Sequence, residues 1–279
     1  MKRISFLSGA LIASALLAAL SGNARAADLP LKTPVAPVPW TCTWCGFYVG
    51  FNVGGATTSD NGISNTGSDT GAGGLGAALF TQGVIPFTVT DHPQGFVGGG
   101  QIGYNWQFWK TMFLGLEADF DGLAGTKTNF VAGPFNNGAF APVTTIYSRQ
   151  ADWISTIRAR WGFTAMNHDA LLVYGTGGIA FARWELGNQF VCPTCVPNPV
   201  TESSTTSSNT LTRAGLAVGA GFEWMFMPKV TFKAEYLYAE IGTQTTTIRY
   251  AYPVGNQSSL TSSARDGMNM VRAGLNFLF

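Results

Sequence analysis

From Gly46 to the C-terminus, apolar and polar side chains alternate with a period of two, in stretches longer than most strands of soluble proteins. In the first stretch, 46–54, Phe47, Val49, Phe51 and Val53 share one face and Tyr48, Gly50 and Asn52 the other. Residues 95–108 set Phe96, Ile102, Tyr104, Trp106 and Phe108 against Gln101, Asn105 and Gln107. Over 112–122, Met112, Leu114, Leu116, Ala118 and Phe120 oppose Glu117, Asp119 and Asp121. Over 152–163, Trp153, Ile157, Trp161 and Phe163 oppose Asp152, Thr156, Arg158 and Arg160. The stretch 170–184 is apolar on both faces near its start, with Ile179 and Phe181 assigned outward. Residues 210–226 alternate Leu216, Val218, Phe222, Trp224 and Phe226 with Arg213, Gly215, Gly219 and Glu223. Residues 229–241 alternate Val230, Phe232, Ala234, Tyr236 and Tyr238 with Thr231, Lys233 and Glu235. The last stretch sets Val271, Ala273, Leu275, Phe277 and Phe279 against Arg272, Gly274 and Asn276. The pattern predicts eight strands.

The connections decide how those strands are arranged. Three are short, around Lys110, Asn167 and Pro228; four are long and rich in Ser, Thr, Asn and Gly, over 55–94, 124–150, 185–209 and 242–263. Short turns at one end and long polar loops at the other are the signature of an outer-membrane barrel, with the short turns on the periplasmic side. The expected fold is therefore all-β, an eight-stranded antiparallel transmembrane up-and-down β-barrel over 46–279. Eight strands leave an interior just wide enough for side chains to fill. The polar faces collect Glu117, Asp119, Asp121, Glu223 and Glu235 with Arg158, Arg160, Arg213, Lys233 and Arg272, five of each sign, as an expected charge network in the lumen. The apolar faces would meet lipid. At their periplasmic ends Phe47, Tyr104, Trp106, Trp161, Phe163, Trp224, Phe226 and Phe277 form an aromatic girdle, since rings with an apolar body and often a polar tip favour the headgroup level.

The N-terminal sequence adds the compartment. Lys2 and Arg3 precede an apolar run from Ile4 to Leu20, and Ala24-Arg25-Ala26 offers the small residues of a cleavage site, so 1–26 reads as a secretory signal peptide. Residues 27–45 follow as a Pro-rich periplasmic linker. Removing Lys2, Arg3 and Arg25 from the 16 basic residues leaves 13 against 15 acidic ones, so nothing suggests a nucleic-acid partner. No later run of 18 apolar residues exists, and any membrane crossing is by strands.

Three segments carry a resemblance. Trp44-Cys45-Gly46-Phe47-Tyr48-Val49-Gly50, Lys233-Ala234-Glu235-Tyr236-Leu237-Tyr238 and Val271-Arg272-Ala273-Gly274-Leu275-Asn276-Phe277-Leu278-Phe279 resemble the alphaproteobacterial OmpA-like porin family, which includes the small surface-antigen barrels of rhizobia, Brucella and their relatives. The resemblance implies a barrel delivered to the outer membrane, with Phe279 part of the signal read by the barrel-assembly machinery. It resembles the barrel half of OmpA proteins alone, without their peptidoglycan-binding domain. Its implied surroundings are outer-membrane lipid and lipopolysaccharide, with an unknown surface ligand met through the four long loops.

The remaining motifs read as structural. Cys42-Thr43-Trp44-Cys45 and Cys192-Pro193-Thr194-Cys195 would suggest zinc in a cytosolic chain, but the barrel puts them on opposite sides of the membrane. Export to an oxidising space favours two local disulfides, Cys42 with Cys45 and Cys192 with Cys195. The GxGxxG matches at Gly71 and Gly98 lack the strand-to-helix setting that phosphate binding needs. His92, beside Asp91, and His168 are the imidazoles available to an acyl-modifying enzyme, a class set below a structural barrel and a narrow porin. No cofactor, metal or catalytic residue is expected. The leading function is an envelope-structural, surface-exposed barrel whose lumen is closed by paired charges.

Overall fold

The computed structural model describes residues 42–59, 62–70, 80, 81, 83, 85–90, 92–109, 111–135, 143–165, 170–191, 204–251 and 257–279. The predicted signal peptide, most of the linker, His168, Cys192 and Cys195 lie outside them. The described strands are β1 (Gly46–Thr58), β2 (Gly62–Thr70), β3 (Thr88–Thr90), β4 (Gln94–Gln107), β5 (Met112–Ala124), β6 (Thr128–Phe135), β7 (Val143–Thr164), β8 (Leu171–Val191), β9 (Ser204–Met227), β10 (Val230–Ala251) and β11 (Gln257–Leu278). All pairings are antiparallel, in the order β1-β4-β5-β7-β8-β9-β10-β11. β11 pairs back onto β1 from Leu278 opposite Tyr48 to Met268 opposite Thr58, which closes the ring. The result is an eight-stranded barrel with no edge at the level of the apolar band, the form a sheet must take in hydrocarbon, where no water satisfies a free backbone group.

The expectation of four long polar loops is corrected. β2 and β3 lie within 55–94, and β6 with the start of β7 lies within 124–150. β8 runs on to Val191 before β9 begins at Ser204, and β10 to Ala251 before β11 begins at Gln257. β2 pairs with the upper part of β11, β3 with β2, and β6 with β7, so the wall continues well past the apolar band. Runs such as Thr245-Thr246-Thr247 are polar because both faces of the strand there meet polar surroundings, while their β-branched residues suit an extended backbone already held in register from below. Polarity marked the end of the lipid contact; the strand goes on.

Two bulges set the facing of side chains at that boundary. Between Ala151 and Trp153 the register of β7 against β8 shifts, so Asp152 leaves the inner face expected for it and pairs on the outside with Arg183 at 3.2 Å. Between Glu240 and Gly242 the register of β10 against β11 shifts, with Gly242 at φ 111°, so Ile241 and Gln244 both point inward. At the opposite end, Pro228 and Lys229 turn β9 into β10, Lys229 adopting φ 64°.

The outer face exposes Phe96 (75%), Leu116, Ile157, Leu216, Val271 and their neighbours, while Glu117, Arg158 and Arg272 are buried to within 2%. That inversion is what hydrocarbon outside demands. Inside, bulk on one strand is matched by glycine on the next. Gly103 lies opposite Glu117, Gly99 opposite Asp121, Gly115 opposite Arg160, Gly178 opposite Arg158, Gly54 opposite Arg272 and Gly274 opposite Lys233. A Cβ on Gly178 would collide with the Ile157 carbonyl, and one on Gly54 with the Val271 carbonyl. Only glycine lets the long side chains of a narrow barrel lie across it.

Candidate functional site in the barrel lumen

The inward side chains form layers. Nearest the short turns, Trp44, Tyr48, Phe113, Leu172, Tyr174 and Leu278 pack together as an aromatic and apolar floor, with Met225 against it. Tyr48, followed on its face of β1 by Gly50, and Tyr174, between Leu172 and Thr176 on its face of β8, both bring their hydroxyls inward to the charged layer above.

That layer contains Glu117, Asp119 and Asp121 of β5, Arg158 and Arg160 of β7, Glu223 of β9, Lys233 and Glu235 of β10 and Arg272 of β11. Arg158 joins Glu117 at 2.6 Å, Asp119 at 2.8 Å and Glu235 at 3.1 Å. Arg160 pairs with Glu223 and lies 3.3 Å from Glu117. Lys233 donates to Glu117 at 2.7 Å and to Gln101 at 3.1 Å. Arg272 reaches Asp121, Asp119 at 3.1 Å and Glu235 at 2.5 Å. Tyr48 donates to Glu117 at 2.7 Å and accepts from Arg160 at 2.7 Å, and Tyr174 donates to Glu235 at 3.0 Å. The Arg160 guanidinium also sits 4.0 Å from the centre of the Tyr174 ring. Every one of these four cations contacts carboxylates from at least one other strand, so the layer ties opposite walls of the barrel together. Taking such charges out of water is costly unless they are paired and hydrogen-bonded; here each of the four cations meets at least two carboxylates, while Asp121 and Glu223 each meet one cation and also accept from Asn52 and Thr231 respectively.

Above the charges the lumen turns apolar again, through Ala56, Val97, Ile154, Ala180, Ala182, Ala217, Leu237, Ala239, Ile241, Met268 and Met270. Higher still, Arg149 pairs with Asp266 at 3.2 Å, donates to the Arg265 carbonyl and lies 5.0 Å over the Trp184 ring. Burial pushes the Asp266 carboxyl up to about 6, against the pull of Arg149. On the outer wall at this height Arg265 holds the Glu240 carboxyl below its usual range.

Nine of the ten residues expected in the lumen network thus meet in one buried layer. Arg213 does not: the structure corrects its place, because it lies above the layer, half-exposed, and donates to the Thr243 carbonyl. The pattern reading missed the second ion pair, Arg149 with Asp266, because 124–150 and 242–263 read as loops. Carrying the alternation of β11 back from Arg272 through Met270 and Met268 would have found Asp266. Cys42 and Cys45 form a disulfide at the foot of β1. His92 is exposed, and Asp91 lies outside the described residues. Of the girdle residues, Phe47, Trp106, Trp161, Phe163, Trp224, Phe226 and Phe277 are exposed at the short-turn end, and Tyr104 is half-exposed between Phe47 and Trp106, with ring centres 4.7 and 4.5 Å away. Phe279 is 70% exposed beside them, its amide bonded to the Phe47 carbonyl.

A closed β-barrel that is apolar outside and charged within is an integral membrane protein of the outer-membrane class. The chain belongs to the family of outer membrane protein beta-barrel domains, whose family model matches residues 12–263. It is similar to the 31 kDa outer-membrane immunogenic protein of Brucella melitensis, 32% identical over 276 residues, covering 96% of this chain and 98% of that protein. It is also similar to the 22 kDa outer membrane protein of Rhizobium leguminosarum, 28% identical over 205 residues, covering 74% of this chain and 68% of that one. Among solved structures, the outer membrane protein OprG from Pseudomonas aeruginosa matches at 14% identity and a TM-score of 0.39, covering 84% of this chain and 97% of that chain. The protein resides in the outer membrane.

Proposed function

We propose that this barrel is an envelope-structural, surface-displaying protein whose lumen is closed, with no catalytic role. The observation that carries this reading is the nine-residue ion-pair layer spanning the lumen, which lies between two packed apolar layers. A continuous water path would have to part several multiply bonded charges and two apolar layers. The polar upper wall, built from β2, β3, β6 and the far ends of β7 to β11, is then the part presented outward, where a surface ligand would be met. The immunogenic character named for the Brucella relative agrees with such exposure. In the same reading the aromatic ring from Phe47 to Phe277 seats the barrel at the periplasmic headgroups, Phe279 serves as part of the assembly signal, and lipid with lipopolysaccharide surrounds the wall.

Planar-bilayer recording tests closure. The wild-type barrel is expected to insert without steady conductance, and the Arg158→Met, Arg160→Met double variant to conduct or to lose its heat-resistant gel mobility. A wild-type barrel with a stable open level of hundreds of picosiemens would replace this reading with a porin.

A further inference from the structure

The segment before β1 does more than lead into the wall. Gly46 has φ 117°, and a Cβ there would collide with the Phe279 carbonyl, so the chain makes a turn at this point that other residues resist. The turn swings residues 42–45 under the barrel mouth. Trp44 becomes fully buried among Tyr48, Phe113, Leu172, Tyr174 and Leu278. Three contacts with Gln107 at the end of β4 hold the segment there. The Trp44 amide donates to Gln107 Oε1 at 3.4 Å, Cys42 Sγ lies 3.3 Å from the same oxygen, and the Gln107 amide donates to Cys45 Sγ at 3.3 Å. The disulfide joins the residues on either side of the stopper, Cys42 and Cys45, and both are only half-buried while Trp44 is not reached by solvent at all.

We propose that Trp44 is a stopper for the periplasmic mouth of the lumen and that the Cys42–Cys45 disulfide is its redox-sensitive clasp, the site of exchange with a dithiol. A thiolate of the dithiol attacks one sulfur, breaking the Cys42–Cys45 bond and forming a mixed disulfide. The second thiol of the reductant then displaces that cysteine. Two electrons and two protons pass to the chain, leaving Cys42 and Cys45 as thiols and the reductant as a disulfide. Without the cross-link the four-residue loop regains conformational freedom, which opposes keeping Trp44 in one place. The floor under Arg160 then opens to water from the periplasmic side. This inference concerns the mouth alone and stands whether or not the charged layer above it conducts.

The experiment is fluorine NMR of the refolded full-length barrel labelled with 5-fluorotryptophan, in a Cys192→Ser, Cys195→Ser background so that dithiothreitol acts at one site. Trp44→Phe assigns the Trp44 signal by its disappearance. In the oxidised barrel that signal should be insensitive to a soluble paramagnetic agent, and after reduction its relaxation should rise about tenfold. The Cys42→Ser, Cys45→Ser variant should give the reduced spectrum without reductant. A Trp44 signal that stays shielded while alkylation shows both thiols free overturns the proposal, and because this readout keeps the 42–45 segment intact it does not require the Cys42→Ser, Cys45→Ser variant to fold.

Discussion

The barrel has two halves built on different terms. In the lower half, where the outer face is apolar, every neighbouring pair of strands around the ring is joined by a backbone ladder, and the lumen holds the nine-residue ion-pair layer. In the upper half the β9–β10 ladder stops at Leu216 opposite Glu240. Beyond it, among the described residues, side chains span the seam instead: Arg213 donates to the Thr243 carbonyl, Asn209 to that of Thr245, Gln244 to that of Asn209, and Ser207 meets Thr246. The ladder ends close to where the apolar outer face ends, at Leu216 and Tyr236. The difference teaches where backbone pairing is compulsory. Hydrocarbon tolerates no open seam, whereas water at the upper wall satisfies free amides and carbonyls, so pairing there becomes optional.

The comparison breaks most sharply at Arg272. Replacing it with Met leaves Asp119, Asp121 and Glu235 short of a partner in the lower lumen, and removal of one member of a buried ionic network costs about 3–5 kcal/mol. The expected outcome is loss of heat-resistant mobility or failure to refold. The equivalent upper change, Arg149→Met, strands a single carboxyl whose proton affinity is already raised, and should refold with a smaller loss.

Glycine gives the next contrast. Gly178→Val sets a side chain against the Ile157 carbonyl inside the barrel, an overpacking cost of about 1–3 kcal/mol or more, while Gly98→Val on the outer face meets only ordinary contacts. Refolding yield into detergent should fall for the first and hold for the second; equal yields would mean that the inner pairing of bulk with glycine has no energetic weight.

A pH effect follows from Asp266. Its carboxyl is pushed up to about 6 from 3.8, so the folded barrel keeps that proton to higher pH than the unfolded chain does. The stability this gives is full below about pH 4 and is lost as pH rises through 6. Urea midpoints measured from pH 4 to 7 should fall in the wild type and lose that component in Asp266→Asn.

The smallest effect sharpens the seam. Arg213→Ala removes one solvent-facing bridge and should change stability by less than about 1 kcal/mol. Hydrogen exchange supplies the finer test: amides of 242–251 that point toward β9 should exchange far faster than those of 230–240. Uniform protection along β10 would show the seam closed in solution.

The period-two alternation was enough to place eight strands, the lipid-facing side of each and nine members of the lumen layer, because in a barrel every residue has two possible surroundings and neighbouring side chains alternate between them; the closed ring was read from the short and long connections. What it left out is also physical. Polar residues 242–251 and 257–263 gave no sign of continuing as strands, since alternation vanishes when both faces are wet. Arg213 carried the right parity and the wrong height, and height depends on where a ladder stops. The place of Asp152 depended on a bulge, which inserts one residue and reverses parity with no local signal beyond a glycine in the comparable case of Gly242.

The amino-acid sequence by itself thus determined the class of solvent on each side of the wall, through the chemistry of alternate residues. The tertiary structure alone decided which charges met. Glu117 takes Arg158, Arg160 and Lys233 from two other strands, and Trp44 finds its place beneath them, because strand register and closure of the ring bring together residues far apart along the chain.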